Sequence, residues 1–312
     1  MLFCTAFRSG EVMSSVSSFA SSLASSSVAR VSPLVRRVIA PNPGPFTNTG
    51  TCAYIVGNGD LAIIDPGPAD ARHIERILSV IGAERLRYIL VTHTHRDHSP
   101  AAAALKAATG ATIIGCAPYV APATITITGQ GLDAAHDRDY APDAILCDGE
   151  AVKIGGGALE ALATPGHTAN HLCFALDAEK AVFTGDHVMR WSTTVVAPPD
   201  GSMRDYMNSI ERQRARDDVA FWPAHGGPIR HPQRYLRALV NHRRAREASI
   251  LDRLAAGDET IADIVARIYA GVDPRLHHAA GMTVLAHLID LIERRHVSAD
   301  GPATLTARYW RV

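Results

Sequence analysis

The run Thr92-His93-Thr94-His95-Arg96-Asp97-His98-Ser99 packs three imidazoles and a carboxylate into six positions. It follows Tyr88-Ile89-Leu90-Val91, an apolar β-prone segment, so the cluster is expected in the turn that leaves a buried strand. Side chains alternate across an extended chain, so His93 and His95 point the same way and can grip one ion together. Asp97 and His98 open an Ala- and Leu-rich run, 101 to 108, that reads as a helix with Pro100 near its first turn. That rotation aims them at a neighbouring point. Two adjacent metal positions follow, and zinc suits such a mixed imidazole and carboxylate set. A solvated turn explains any one of these residues; it does not explain four of them behind a buried strand.

Three more strand exits carry residues of the same chemistry. Thr164-Pro165-Gly166-His167-Thr168 presents His167 from a tight turn, Gly185-Asp186-His187 places a carboxylate with two oxygens, and Pro223-Ala224-His225 delivers a late histidine. Asp65, at the end of Leu61-Ala62-Ile63-Ile64, can turn inward to fix the tautomer of a ligand histidine, or remain a solvated turn residue. His136 is a further ligand candidate whose ordinary reading is a surface histidine. His187, Tyr206 and Asn208 are candidates for substrate contact, with packing or capping as the alternative.

The elements that must hold these residues follow from periodicity. Strand-like runs at 37–40, 52–56, 61–64, 88–91 and 112–116 alternate with helical spacing at 69–81 and 101–108, which describes helices covering a central sheet. Gly57-Asn58-Gly59-Asp60 supplies hairpin chemistry. A second set of strands is expected at 144–147, 151–154, 159–162, 172–176, 181–184 and 219–222. Ser202 with Asp205 three residues on reads as a helix cap, for a helix through Arg216. The stretch 118–143, with Gly129-Gln130-Gly131, has the length of a lid or substrate wall. From 232 the chain turns helical and arginine-rich, with helices expected at 235–254, 260–269 and 283–295 before a turn and short strand. Three helices then a β-wing suggest a winged-helix-like appendage. Its Arg237, Arg243, Arg244 and Arg246 either engage phosphates beside the groove or solvate a helix face and pair with Glu247 and Asp252.

Composition sets the remaining bounds. The 312 residues are 47% hydrophobic and 20% charged with zero formal net charge, so no global field recruits nucleic acid or an acidic membrane. No run approaches the roughly 18 apolar residues of a membrane helix, so a soluble chain with no membrane partner is expected. Cys4, Cys52, Cys116, Cys147 and Cys173 form no C-x-x-C pair and read as reduced thiols, mostly buried. Residues 1–30 form a Ser- and Ala-rich leader. It is either unstructured, a start misplaced upstream of Met13, or a transit peptide, so the chain is expected in the cytoplasm or, in the last case, in the mitochondrial matrix.

The T-H-x-H-x-D-H turn, T-P-G-H-T, G-D and the late histidine, in that order, resemble the metallo-β-lactamase fold superfamily over about 31–230. Ala40-Pro41-Asn42-Pro43-Gly44-Pro45, Asp205-Tyr206-Met207-Asn208-Ser209 and Asn241-His242-Arg243 are similar to its lactamase-β-2-like, endoribonuclease-like branch. The loop after Asp186, His187 to Trp191, is bulkier than that branch leads one to expect. The resemblance implies an α+β, four-layer αββα sandwich over 31–230 with a small helical, winged-helix-like domain over 231–312. It implies two Zn2+ per chain: His93, His95 and His167 hold the first, Asp97, His98 and His225 the second, and Asp186 bridges both. The expected activity is hydrolysis by a metal-bridging hydroxide that Asp97 helps to orient, on single-stranded RNA phosphodiesters. The alternatives are a thioester or lactone hydrolase, as in glyoxalase II, and a non-catalytic nucleic-acid-binding regulator. Oligomeric state is left open.

Overall fold

The structure is a computed structural model that describes residues 27–121 and 135–312. The leader up to residue 26 and the lid expected around Gly129-Gln130-Gly131 lie outside the described residues. Fourteen strands are named in chain order: β1 (Val28–Arg30), β2 (Val35–Ile39), β3 (Cys52–Val56), β4 (Asp60–Ile64), β5 (Arg85–Val91), β6 (Thr112–Gly115), β7 (Ala144–Ile145), β8 (Ala151–Ile154), β9 (Gly157–Ala163), β10 (Leu172–Leu176), β11 (Ala181–Gly185), β12 (Ala220–Pro223), β13 (Val297–Ala299) and β14 (Tyr309–Arg311). Six α-helices accompany them among the described residues: α1 (Ala71–Ile81), α2 (Ala101–Thr109), α3 (Met203–Arg214), α4 (Pro232–Ala255), α5 (Ile261–Ile268) and α6 (His277–Glu293).

Strands β1 to β7 form one sheet in sequence order, antiparallel as far as β4 and parallel beyond it. The second sheet has the order β12-β11-β10-β9-β8, with only the β11–β12 pair parallel. Strand β10 shows why the sheets stack. Leu172, Phe174 and Leu176 enter the core between the sheets, while Cys173 and Ala175 enter a second core against helices. Side chains alternate between faces of a strand, so a strand apolar at every position is stable only when both faces are covered. Ile77 and Ile81 of α1 and Ala102 and Leu105 of α2 cover the first sheet. Met203, Tyr206 and Ile210 of α3, with Leu236, Leu239 and Val240 of α4, cover the second. The result is the four-layer αββα sandwich.

A third core joins the end of α4, α5, α6 and the β13–β14 hairpin, including Ile250, Ile264, Leu288 and Tyr309. This is a three-helix unit with a wing. Helix α6 starts at His277, well before the expected position at 283, because Gly281 does not interrupt it. A Cβ at Gly281 would lie 3.4 Å from Ile261 Cγ2, an ordinary van der Waals contact, so α6 faces α5 at this position.

The arginines of α4 depart from expectation. Leu236, Leu239, Val240 and Arg243 share the i, i+3, i+4, i+7 stripe that is buried, which takes Arg243 inside with them. Its guanidinium lies over the Tyr206 ring and donates to the Thr194 carbonyl. Arg246 lies over Tyr269, 4.3 Å from the ring centroid. Of the four, only Arg237 and Arg244 are exposed, and Glu247 pairs with Arg294, just past the end of α6, rather than with its own helix. Among the described residues no helix is long and apolar enough to cross a membrane. Cys52, Cys116 and Cys173 are buried free thiols, whereas Cys147 is exposed.

Candidate metal centre

The C-terminal ends of β4, β5, β9, β11 and β12 meet along one edge of the sandwich. Two contacts close that edge: Cys52 N–H donates to the Ala224 carbonyl at 2.7 Å, and Leu172 N–H to the Thr92 carbonyl at 2.8 Å. The turns there need glycine. Gly166 has φ 143°, and a Cβ on it would sit 2.3 Å from the Tyr206 Cα, so α3 presses directly on the turn that carries His167. Gly185 has φ 49°, and its Cβ would meet His171 Nε2 at 2.7 Å and Thr92 Oγ1 at 2.8 Å.

Seven side chains gather in two groups. His93, His95, His167 and Asp186 bring one potential ligand atom each within 4.8 Å of one another, and Asp97, His98 and His225 do the same. Asp186 stands between the groups. Its Oδ1 is 3.2 Å from His225 Nε2 and its Oδ2 is 3.7 Å from His167 Nε2, so the two oxygens face opposite ways. Asp97 Oδ2 lies 3.1 Å from His225 Nε2 and 3.3 Å from His98 Nε2.

Hydrogen bonds around the cluster fix which nitrogen is bare. Asp65 accepts from Thr92 N–H and from the Thr92 hydroxyl, both at 2.8 Å. That hydroxyl has one proton, so it accepts from His93 Nδ1, 3.0 Å away, and leaves His93 Nε2 with a lone pair. His98 donates Nδ1–H to Asp65 Oδ2 and His167 donates Nδ1–H to the Val195 carbonyl, which bares Nε2 on both rings. His93 Nε2 and His167 Nε2 then face His95 Nδ1 at 2.9 and 3.1 Å. A single proton on His95 can satisfy only one of them. Converging lone pairs, with buried His98 Nε2 and Asp186 Oδ1 also lacking a hydrogen-bond partner, fit a cation in each group.

Charge agrees with that fit. Burial, and then the neighbouring imidazoles, hold His93 and His95 well below the usual imidazole value, in the neutral form that ligates. Burial also opposes charge on His98, but Asp97, Asp65 and Asp186 outweigh it and raise this group. His225 is likewise pushed up to about 9 by Asp186 and Asp97 against its burial. Burial would raise Asp97 and Asp186; instead His98 and His225 hold both below the ordinary carboxylate range. The carboxylates on this edge thus demand positive charge, which protons or metal ions can supply.

Asp65 is inward-facing and buried, at φ 49°, a left-handed conformation unusual for a residue other than glycine. The expected substrate contacts are placed otherwise. His187 and Tyr206 are fully buried, packed edge to face with centroids 5.0 Å apart, and Asn208 is exposed on α3; none lines the cleft beside the cluster. His136 is no surface residue: it is 3% exposed, stacked on Tyr119, with Nδ1 on the Thr94 hydroxyl and Nε2 3.5 Å from Asp200. Both nitrogens are therefore close to partners outside the seven, although the ring lies 4.7 Å from that of His95. Sequence reasoning passed over His171, which offers Nδ1 to the Thr164 hydroxyl and accepts from Asp186 N–H at 3.2 Å. Its only signal is a second histidine four residues after His167.

A family model described as the metallo-beta-lactamase superfamily matches residues 47–225. The chain belongs to that superfamily. A second model, for a beta-lactamase associated winged helix domain, matches residues 260–304 of this metallo-beta-lactamase superfamily member. The chain is 30% identical to an atrochrysone carboxyl ACP thioesterase of Aspergillus fumigatus, over 71% of its own length and 65% of that protein, a little under two thirds of the relative. It is also 30% identical to a beta-lactamase-like protein 2 homolog of Caenorhabditis elegans, over 78% of its length and 79% of the relative. A beta-lactamase domain protein from Burkholderia ambifaria shares the fold with TM-score 0.76 at 22% identity, covering 91% of this chain and 93% of that one. The catalytic domain is that of a metal-dependent hydrolase.

Proposed function

We propose that the chain hydrolyses acyl thioesters at a dinuclear zinc centre held by His93, His95, His167 and Asp186 on one side and Asp97, His98 and His225 on the other, with Asp186 shared. The observation that carries the substrate class is the cleft beside these residues. It has a volume of about 430 Å3 and is walled by Phe46, Pro68, Met189, Trp191, Val195 and Ala279. Arg96 is the single Lys or Arg among its described lining residues, and that side chain donates to the His136 carbonyl. An RNA strand calls for a series of cations along its phosphates. An acyl group calls for apolar walls. The bulky loop after Asp186 supplies two of those walls, Met189 and Trp191, and the likeness to an ACP thioesterase supports the same class.

Ions held by these residues would activate water at neutral pH and stabilise negative charge on the carbonyl oxygen. The chain's residues do the rest. Thr51 hydroxyl donates to Asp97 Oδ2 at 3.2 Å and holds that carboxylate beside the cleft, where it can accept a hydrogen bond from the attacking water and orient it. The apolar walls orient the acyl group and exclude bulk water. The test is hydrolysis by the zinc-reconstituted protein of acyl N-acetylcysteamine thioesters and of single-stranded RNA. Thioester turnover that disappears in Asp186→Ala is expected; RNA cleavage without thioester turnover would overturn this reading.

A further inference from the structure

Behind the cleft lies a second, smaller cavity of about 70 Å3 that shares Phe46, Trp191, Ser192, Val195 and Ala279 with it. Its far side belongs to the C-terminal helices and presents His242, Arg243, Arg246 and Tyr269. No carboxylate lines it among the described residues. Nearby acids are engaged elsewhere: Glu247 and Asp290 pair with Arg294, and Asp290 also with Arg204. Arg243 is 3% exposed, and its Nε and the Nδ1 of His242 are buried without a hydrogen-bond partner. A buried guanidinium donor left unsatisfied is costly, and a desolvated cation without a counter-charge more so. The neighbouring groups disfavour further positive charge, since burial, then Arg243 and Arg246, pull His242 down to about 4.

We infer that this inner cavity is an oxyanion-recognising subsite in which Arg243, Arg246 and His242 bind one carboxylate or phosphate at the end of the substrate remote from the scissile bond. The inference rests on the thioester reading for its substrate, though not for its chemistry. The size limits the ligand to a single anionic group rather than a polynucleotide. Planar guanidinium forks match carboxylate and phosphate oxygens. The subsite is also tied to the metal centre: Thr194 offers its carbonyl to Arg243, and the next carbonyl, of Val195, holds His167.

Two sources of the anion are chemically equivalent: an ω-carboxylate on the acyl chain, or the phosphate of a phosphopantetheine thiol. Glutaryl against pentanoyl N-acetylcysteamine thioesters tests the first, and acetyl phosphopantetheine against acetyl pantetheine tests the second. The wild-type protein should favour one anionic member of these pairs at least tenfold in kcat/KM, mainly through KM, and Arg246→Gln should cut that ratio tenfold. Independently of turnover, glutarate or inorganic phosphate should raise the melting temperature of the wild type more than that of Arg246→Gln. Thermal protection without thioester turnover would leave the subsite standing and remove the thioester reading. Thioester turnover with no anionic preference and no thermal protection would overturn the subsite.

Discussion

Asp65 shows how one carboxylate sets the protonation of neighbouring histidines, directly at His98 and through Thr92 at His93. Its two oxygens take three protons, from Thr92 twice and from His98 Nδ1. In Asp65→Asn an amide N–H must face either Thr92 or His98, and the His98 proton is driven to Nε2, toward Asp97. Affinity for the ion in the Asp97–His98–His225 group should fall on the order of 10- to 100-fold, read by chelator competition; an unchanged affinity would show that Asp65 does not set the tautomer. Asp186→Ala removes the one carboxylate that faces both groups, so metal content should drop from about two ions per chain and turnover should disappear. Two ions and undiminished turnover in that variant would show that Asp186 bridges nothing. The sequence displays the seven residues because histidine and aspartate at strand exits are conspicuous in type and spacing. Thr92 and His171 act only through hydrogen bonds, and nothing in residue type marks that. Neighbourhood in sequence also misleads: His187 follows Asp186 directly, yet the turn at Gly185 sends its ring into the core.

At the scale of elements, α3 and α6 are held by features that small substitutions can test. Gly166→Ala places a methyl group into the α3 backbone at a positive φ, so a loss of roughly 2–4 kcal/mol is expected in denaturant unfolding. A loss near zero would mean that α3 can shift without cost. In α6, burial and then Arg243 and Arg246 lower His287 to about 3, and both its ring nitrogens lack partners. The unfolded chain takes up that proton near pH 6.5 and the folded one does not, so the stability linked to it is present above about pH 6.5 and drains as pH falls toward 3. His287→Leu should therefore lose about 2 kcal/mol less than wild type between pH 7.5 and pH 5; parallel losses would place the acid sensitivity elsewhere. Periodicity revealed most helices to within a turn, but it began α6 at 283, six residues late, and left Arg243 to face either solvent or a phosphate. An arginine admitted by an aromatic ring is decided by a packing partner far along the chain.

The whole molecule is less divisible than its winged-helix segment suggests. Leu236, Leu239, Val240 and Ala286 complete the core over the second sheet, and Ala279 is part of the cleft wall. Each large side chain among them contributes roughly 2 kcal/mol by burial. A chain ending at Arg230 should aggregate or bind a hydrophobic dye at neutral pH; a monomeric, metal-loaded, fully active fragment would show that the helices are an accessory.

The edge that closes through Cys52 and Ala224 also has a consequence in time. Cys52 Sγ and the Gly226 carbonyl are in contact although 174 residues separate them. Synthesis delivers the N-terminal sheet first, with His93, His95, Asp97 and His98 made long before Asp186 and His225 exist. Until the last strand of the second sheet docks, a nascent chain can offer an ion only part of its ligands. Full metal loading is thus expected late in biogenesis, as a report that both ends of the sandwich have found each other.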